Sequence, residues 1–455
     1  MQKLLFSKIG LVGGLILLLM IPLSLIKDVV SERISYRAQA RAEIEQSWTG
    51  QQSVVGPLLV VPYEEEIERQ LWDEEHKTMR TEVRHIAHKL IILPEALNID
   101  GDIQTEERKL GLYSVPVYTA EMHFSGRFDN RAILKLLKEN EHKLVFKPAY
   151  VSVLVQDLRG VIRQPSFNWA GKAYEFDSGN GLANSGQGMR TSLGELALGE
   201  EQSYAFSFDF LLRGMESLNF APLGRDTQVQ LDSPWPHPSF VGRYLPSGYE
   251  VDEQGFKAQW YASSFSSGMA QVVEQCASGQ CGALLDNTFG VSLIKTVDIY
   301  LQAERSLKYG VLFLTLTFAI FFLYEVLKRL SVHPIQYLFV GMAMTIFYLL
   351  LVSFSEHIPF ALAYTIAAGA CSSLLGVYIG SILRSLRSGA LFFGAIVFLY
   401  AVLYHILQSE DNALLMGSVL LFAVLSAVML ATRKVDWYRI KPDAAVTTEA
   451  VAVPE

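Results

Sequence analysis

Residues 309–327 read YGVLFLTLTFAIFFLYEVL, and residues 334–354 read PIQYLFVGMAMTIFYLLLVSF; three further apolar stretches follow over 359–383, 389–407 and 412–432. Each is close to the ~20 residues a helix needs to cross the hydrocarbon core of a bilayer. The region from Tyr309 to Thr432 therefore predicts five transmembrane helices separated by short polar breaks. The breaks differ in charge. Lys328 and Arg329 follow the first stretch, Arg384 and Arg387 the third, and Arg433, Lys434, Arg439 and Lys441 the fifth. The other two breaks hold Ser355-Glu356-His357 and Ser409-Glu410-Asp411-Asn412. Short cytoplasmic loops collect Lys and Arg, so the basic breaks and the C-terminal segment 433–455 are expected in the cytoplasm and residue 308 outside it.

A further apolar run, Ile9 to Ile26, lies behind Lys3 and Lys8. It is too long for a typical signal h-region, and its only small-residue site, Ala38-Gln39-Ala40, sits far beyond it among charges, so it reads as an uncleaved anchor. Gly10 and Gly14 give it a small-residue face, which serves plain packing or a helix contact. With no span between residues 27 and 308, connectivity places both ends of that segment outside. The expected fold class is a mixed membrane protein: an anchor over 1–26, an extracytoplasmic domain over 27–308, and five closing helices over 309–432, six spans in all with both termini cytoplasmic.

Residues 27–308 carry 28 basic and 38 acidic side chains, a net charge of −10. An acidic outer domain argues against a nucleic-acid partner. It opens with an expected helix, Val29 to Trp48, on which Arg33, Arg37 and Arg41 recur every four residues and share a face. They are candidates for lipid headgroups just above the membrane, with pairing to Glu32, Glu43 and Glu45 as the plainer reading. After Gly50 the pattern turns to strands, clearest in the alternation Tyr204, Phe206, Phe208, Phe210, Leu212, an aromatic stripe expected in the core. Asp129 to His142 is the one clear internal helix, with Asp129 as its N-cap. The domain thus reads as mainly β, sandwich-like, with few helices.

Pro234-Trp235-Pro236-His237-Pro238 cannot be helical. If extended, it presents an edge without donors and projects Trp235 and His237 together, as a sheet border or rigid connector. Trp235, His237, Ser239 and Phe240 are the candidates for a binding surface there. No acid or nucleophile is visibly coupled to His237, so a catalytic role is disfavoured. Cys276 and Cys281 enclose Ala-Ser-Gly-Gln, a turn that a disulfide would lock as a local hairpin or loop. The glycines at 179, 181, 186 and 188 lack the Lys-Ser/Thr ending of a phosphate loop, and His85 and His88 fall on opposite faces of an expected strand. No motif implies a metal or cofactor. Within the closing helices, Glu325 and His405 stand near the ends of their stretches, which disfavours an ion-driven carrier. Ala367 to Ser373 with Gly376 and Gly380 make a small-residue helix, suited to close packing or to a homo-oligomer contact.

Several stretches give the chain a resemblance. They are Glu32-Arg33, Tyr36-Arg37, Val55-Gly56-Pro57-Leu58, Glu107-Arg108-Lys109, Asp157 with Arg159-Gly160, and Gly186-Gln187-Gly188. More specific are Trp235-Pro236-His237-Pro238-Ser239-Phe240, Ala258-Gln259-Trp260, His333-Pro334 with Gln336-Tyr337-Leu338, Ser355-Glu356-His357 and Asp436-Trp437-Tyr438. With one anchor, a long outer β domain and five closing spans, the chain resembles the CreD family of bacterial inner-membrane proteins over about residues 10 to 440. The resemblance implies a place in the cell envelope, with roles in envelope integrity, colicin tolerance and the β-lactam response, and supplies no catalytic residues. The expected function is therefore binding by the outer domain, to an envelope protein and to membrane lipids, without turnover. Lipid or glycan handling and an unrecognised periplasmic hydrolase are the alternatives.

Overall fold

The computed structural model describes residues 2–73, 78–140, 142–197, 200–293, 299–328, 332–409 and 413–433. Arg329, the break Glu410-Asp411-Asn412 and the tail with Lys434, Asp436, Trp437, Tyr438, Arg439 and Lys441 lie outside the described residues. The chain divides into two compact units, a helical one (Met1–Arg37 with Val297–Glu455) and a β-rich one (Ala38–Thr296).

In chain order the elements are helix α1 (Gln2–Ser47), then strands β1 (Gln52–Asp73), β2 (Thr78–Ile92), β3 (Ala96–Leu110) and β4 (Tyr113–Asp129), and helix α2 (Arg131–Glu139). Next come β5 (Lys143–Phe146), β6 (Ala149–Val155), β7 (Ser166–Trp169), β8 (Lys172–Glu175), β9 (Asp177–Ser178), β10 (Gly188–Gly194) and β11 (Ser203–Met215). These are followed by β12 (Ser217–Phe220), β13 (Asp226–Ser233), β14 (Pro238–Gly242), β15 (Gly248–Asp252) and β16 (Gly255–Ser263). Helices α3 (Ser264–Ser267), α4 (Met269–Ala277) and α5 (Ala283–Asp286) precede β17 (Phe289–Leu293). The remainder is helical: α6 (Ile299–Lys308), α7 (Gly310–Lys328), α8 (Pro334–Ser355), α9 (Phe360–Ile382), α10 (Leu386–Gln408) and α11 (Ala413–Thr432).

The strands form two sheets. One runs β14-β17-β12-β1-β6-β10-β9, with β2 and β5 also on β1; the other runs β15-β16-β13-β3-β4-β11-β7-β8. All neighbours are antiparallel except β1 with β12 and β3 with β13. The sheets face each other across one apolar core. Rings meet across it: Phe124 of β4 lies 6.4 Å from Phe220 of β12, and Trp260 of β16 lies 6.0 Å from Phe289 of β17. Strand β11 shows why. Phe206, Phe208, Phe210 and Leu212 point inward, while Ala205, Asp209 and Arg213 alternate outward, as a period of two requires. Each such ring contributes about 1.5–3 kcal/mol by leaving water. The bulge in β1 between Val55 and Leu58 depends on Gly56, whose φ is +154° and whose added Cβ would sit 2.9 Å from Val153 Cα.

One expectation of local structure is corrected. Asp129 is the last residue of β4, paired with Ser203, and the helix after it runs only from Arg131 to Glu139. Its N-cap is Asn130, whose side chain is spent elsewhere: Nδ2 donates to Glu200 O (2.8 Å), and Oδ1 accepts from Gln202 N (2.8 Å). Besides α2, α4 and the short α3 and α5 lie between β16 and β17.

Among the described residues of the helical unit, four helices are long and apolar enough to cross a membrane: α1 from Gly10 on, α8, α9 and α10. The pair α6 and α7, bent by 45° at Tyr309, makes a fifth if taken as one span, and α11 is a shorter apolar helix in its core. The stretch from Tyr309 to Leu327 is thus preceded directly by a helix. α1 packs closely on α8, where a Cβ on Gly341 would stand 2.1 Å from Leu19 Cδ1. No atom lies within 4 Å of an added Cβ at Gly10 or Gly14, so that face makes no helix contact here.

Candidate functional site

Charged side chains are scarce in the helical unit; among the described residues Glu325 is buried and Glu356 is half-buried, with its side chain largely covered. Glu325, near the end of α7, is 4% exposed and accepts from Lys8 Nζ of α1. Its other contacts are the Tyr337 hydroxyl of α8, which donates at 2.8 Å, and the Val332 amide, which donates at 3.1 Å. Three helices and a turn therefore converge on one carboxylate. Ion pairing and hydrogen bonds together offset the cost of burying it. Between Val332 and Tyr337 the turn into α8 is shaped locally: Pro334 starts the helix without an N–H, His333 accepts from the Ile335 amide, and Gln336 accepts back from the His333 amide.

The second carboxylate is Glu356, just past α8, at 8% exposure. Arg33 of α1 reaches it at 3.1 Å, and the Tyr300 hydroxyl of α6 donates at 3.3 Å. Lys8 and Arg33 thus tie α1 to the closing helices at two heights. Each pairing joins residues far apart in the chain, which suits fastening.

The β unit carries its own polar cluster, where the end of α1 meets the sandwich. Gln52 is fully buried. Its Nε2 donates to Thr49 Oγ1, Asp157 O and Arg213 O, each at 3.0 Å, and its Oε1 accepts from Asp157 N at 3.2 Å. Arg41 grips Glu216 with Nε (2.9 Å) and Nη2 (2.7 Å). Arg159 donates to Gln46 O at 2.8 Å and to Asp157. Burial opposes ionisation of Asp157, but its hydrogen bonds from Arg159 and the Gly50 amide outweigh that and hold its carboxyl below the ordinary value. Trp48 lies between two guanidinium groups, Arg108 at 3.8 Å and Arg213 at 4.5 Å from the ring centre.

The arginines singled out in the sequence therefore have different surroundings. Arg33 serves Glu356 and Arg41 serves Glu216, with Glu45 at 3.5 Å. Glu32 instead accepts from Tyr36, and Glu43 from Gln39. Arg37, between them, also has partners.

The proline-rich segment is not extended. Residues 234–237 bend, and Trp235 Nε1 folds back to donate to His237 O at 3.1 Å, so Trp235 packs against the core while His237 is exposed. The two do not project together, because the chain turns here between β13 and β14, strands of different sheets. Pro238 opens β14, the edge strand. Ser239 sits beside it half-buried, and Phe240 packs on Tyr249 (5.3 Å), Trp260 (5.6 Å) and Phe256 (6.0 Å).

Cys276 and Cys281 are bonded, with Cα atoms 4.1 Å apart. The bridge closes the turn between α4 and α5 rather than a hairpin. His88 stacks on Tyr63 at 5.2 Å and lies 3.4 Å from Glu65. The glycine-rich loop folds over Tyr150, whose hydroxyl donates to Gly181 O at 2.9 Å. No group of three His, Cys, Asp or Glu residues suited to a metal occurs among the described residues.

Sequence reasoning missed the polar cluster of the β unit and the partners of Glu325. The signal available was weak: Gln52 looks like any strand residue, and the partners of Glu325 lie far from it in the chain. Several stretches that carried the family resemblance do meet here, with Glu107-Arg108, Asp157 and Arg159-Gly160 around Trp48 and Gln52.

Solved structures offer little. An M1 zinc metallopeptidase from Deinococcus radiodurans aligns over 37% of this chain and 38% of its own, at 6% identity and a TM-score of 0.17, a likeness too low to carry an argument. The sequence comparisons are of another order. The Inner membrane protein CreD of Escherichia coli (strain K12) is 36% identical over 453 residues, covering 98% of this chain and 97% of that protein. The family model described as Inner membrane protein CreD matches residues 4–438. An apolar helical unit joined to a large β-rich one, with similarity along almost its whole length, marks this as a multi-pass inner-membrane protein that belongs to the CreD family.

Proposed function

We propose that the chain crosses the inner membrane six times, once by α1 and five times by the closing helices, with both termini in the cytoplasm and residues 27–308 in the periplasm. Its β unit supports envelope integrity, and the responses to envelope stress, colicins and β-lactams, by binding a protein of the envelope without turnover. One observation carries the binding reading. At Phe240 the edge strands of both sheets come together, and the exposed Leu245, Tyr249 and Val251 surround that corner. Edge strands offer unpaired backbone groups to a partner chain, and aromatic residues are enriched in the cores of protein interfaces. The topology is supported by the basic breaks at Arg384 and Arg387 against the Ser355-Glu356-His357 break.

In-cell photocrosslinking from Tyr249, Ser239 and Trp235 tests the binding reading. Discrete protein adducts from Tyr249 and Ser239 are expected. Lipid or glycan adducts with none to protein overturn it. Cysteine labelling tests the topology: a cysteine at Arg387 reacts only after permeabilisation if the reading holds, and labelling in intact spheroplasts reverses it.

A further inference from the structure

Between α9 and α10 lies a groove of about 630 Å³. One wall is a single face of α9, Ser373, Gly376, Val377, Gly380 and Ser381; the other is the first two turns of α10, with Leu386, Ala390 and Phe393. Its walls are almost wholly apolar or small. Its rim is exposed hydrocarbon, with Leu386 at 93% and Val377 at 72% exposure. The groove is closed at one end by the turn between the helices, where Arg384 lines it and Arg387 follows. Both guanidinium groups are exposed, and neither has a carboxylate partner among the described residues.

Two occupants suit an apolar groove in a membrane helix pair, and charge separates them. A second copy docked about a two-fold axis along the membrane normal would bring like ends together. Arg384 and Arg387 would then face their own counterparts, and neither α9 nor α10 contains an Asp or Glu to relieve the repulsion. A lipid meets both demands at once, since its acyl chain fills the trough and an anionic headgroup reaches the arginines at its end. We propose that the α9–α10 groove binds an anionic glycerophospholipid, with the acyl chain against Gly376, Val377 and Ala390 and the headgroup phosphate between Arg384 and Arg387. The assignment holds for either orientation of the protein in the membrane, so it stands apart from the proposed topology.

The backbone supplies a clean variant. Arg384 has φ +48°, a conformation that glycine adopts without cost. Arg384→Gly therefore removes the charge while easing the turn. The test is native mass spectrometry of the full-length protein, delipidated and then titrated with phosphatidylglycerol or with phosphatidylcholine of the same acyl chains. Wild type should retain phosphatidylglycerol over phosphatidylcholine by on the order of tenfold or more, as expected for two basic groups at a lipid surface. The double variant Arg384→Gly, Arg387→Gln should lose that preference, and Arg163→Gln with Lys172→Gln, in the β unit, should keep it. Filling the trough by Ser381→Leu should weaken retention of both lipids while the protein stays monodisperse. Equal retention of the two lipids by wild type overturns the proposal. So does a preference that survives the double variant, or a dimer that Ser381→Leu abolishes with lipid retention unchanged.

Discussion

The polar cluster around Gln52 and the pair at Glu325 fasten the same long helix to two different surroundings, and they do so differently. In the β unit Arg41 on Glu216 and Arg159 on Gln46 O hold the helix, beside a neutral amide, Gln52, caged by Thr49 Oγ1 and backbone groups just past the helix end. In the helical unit it is a charge pair with one end sealed and the other open, since Glu325 is 4% exposed and Lys8 41%. A cage has no slack. An ion pair whose lysine can extend toward a polar surface has some.

That contrast orders the effects of mutation, measured as thermal unfolding of the full chain in detergent. Gln52→Ala should cost most, about 3–5 kcal/mol, because it strands several buried donors and acceptors that nothing else can reach. A loss under about 1 kcal/mol would break the comparison. Next, Lys8→Met should cost about 2–4 kcal/mol, more than Glu325→Gln at about 1 kcal/mol. The first leaves a buried carboxylate without its cation, whereas the second leaves an amide that still accepts from Tyr337 and a lysine with access to solvent. Equal losses would mean that Lys8 is no freer than Glu325.

Acid sharpens the difference further. Asp157 and Asp129 both titrate below their ordinary value in the folded protein. At Asp129 partial burial opposes ionisation, and the hydrogen bonds with Arg131 outweigh it. A depressed carboxyl pKa contributes stability that is present above the unfolded value near ~4 and is lost as pH falls through the folded one. The β unit should therefore weaken below about pH 4, and Asp157→Asn should flatten that limb of the profile. The smallest effect belongs to Lys135 and Glu139, an exposed pair on α2 at 3.9 Å, where Lys135→Ala should change stability by no more than about 0.5 kcal/mol.

Much of the architecture was legible because its signals are local. Apolar stretches of membrane length and the alternation at Phe206, Phe208 and Phe210 report on neighbours in the chain, so a reader of the sequence finds the helical unit and the mainly β unit. Strands such as β12 and β14 are harder to read, because they are short and lie beside turns and prolines. Their place is set by partners elsewhere in the chain, β17 among them. The sites were least legible. Arg33 and Arg41 recur at helical spacing, which marks a shared face and not that one meets Glu356 and the other Glu216. Trp235 and His237 looked like a pair because an extended chain was assumed, and the indole hydrogen bond to His237 O turns that segment back on itself.

The position of β17 has a further consequence, for the order in which the domain is made. It is the last strand of the β unit to leave the ribosome, yet it lies between β12 and β14, while β12 must also wait beside β1 in parallel register from Gln52 with Leu218. Contacts this distant in sequence slow the closing of a sheet. Until Phe289 to Leu293 has crossed into place, β12 and β14 stand with open flanks, and the half-made sandwich exposes the aromatic side of Phe240. Assembly of this domain is thus completed from its end, by the segment that leads directly into the closing helices.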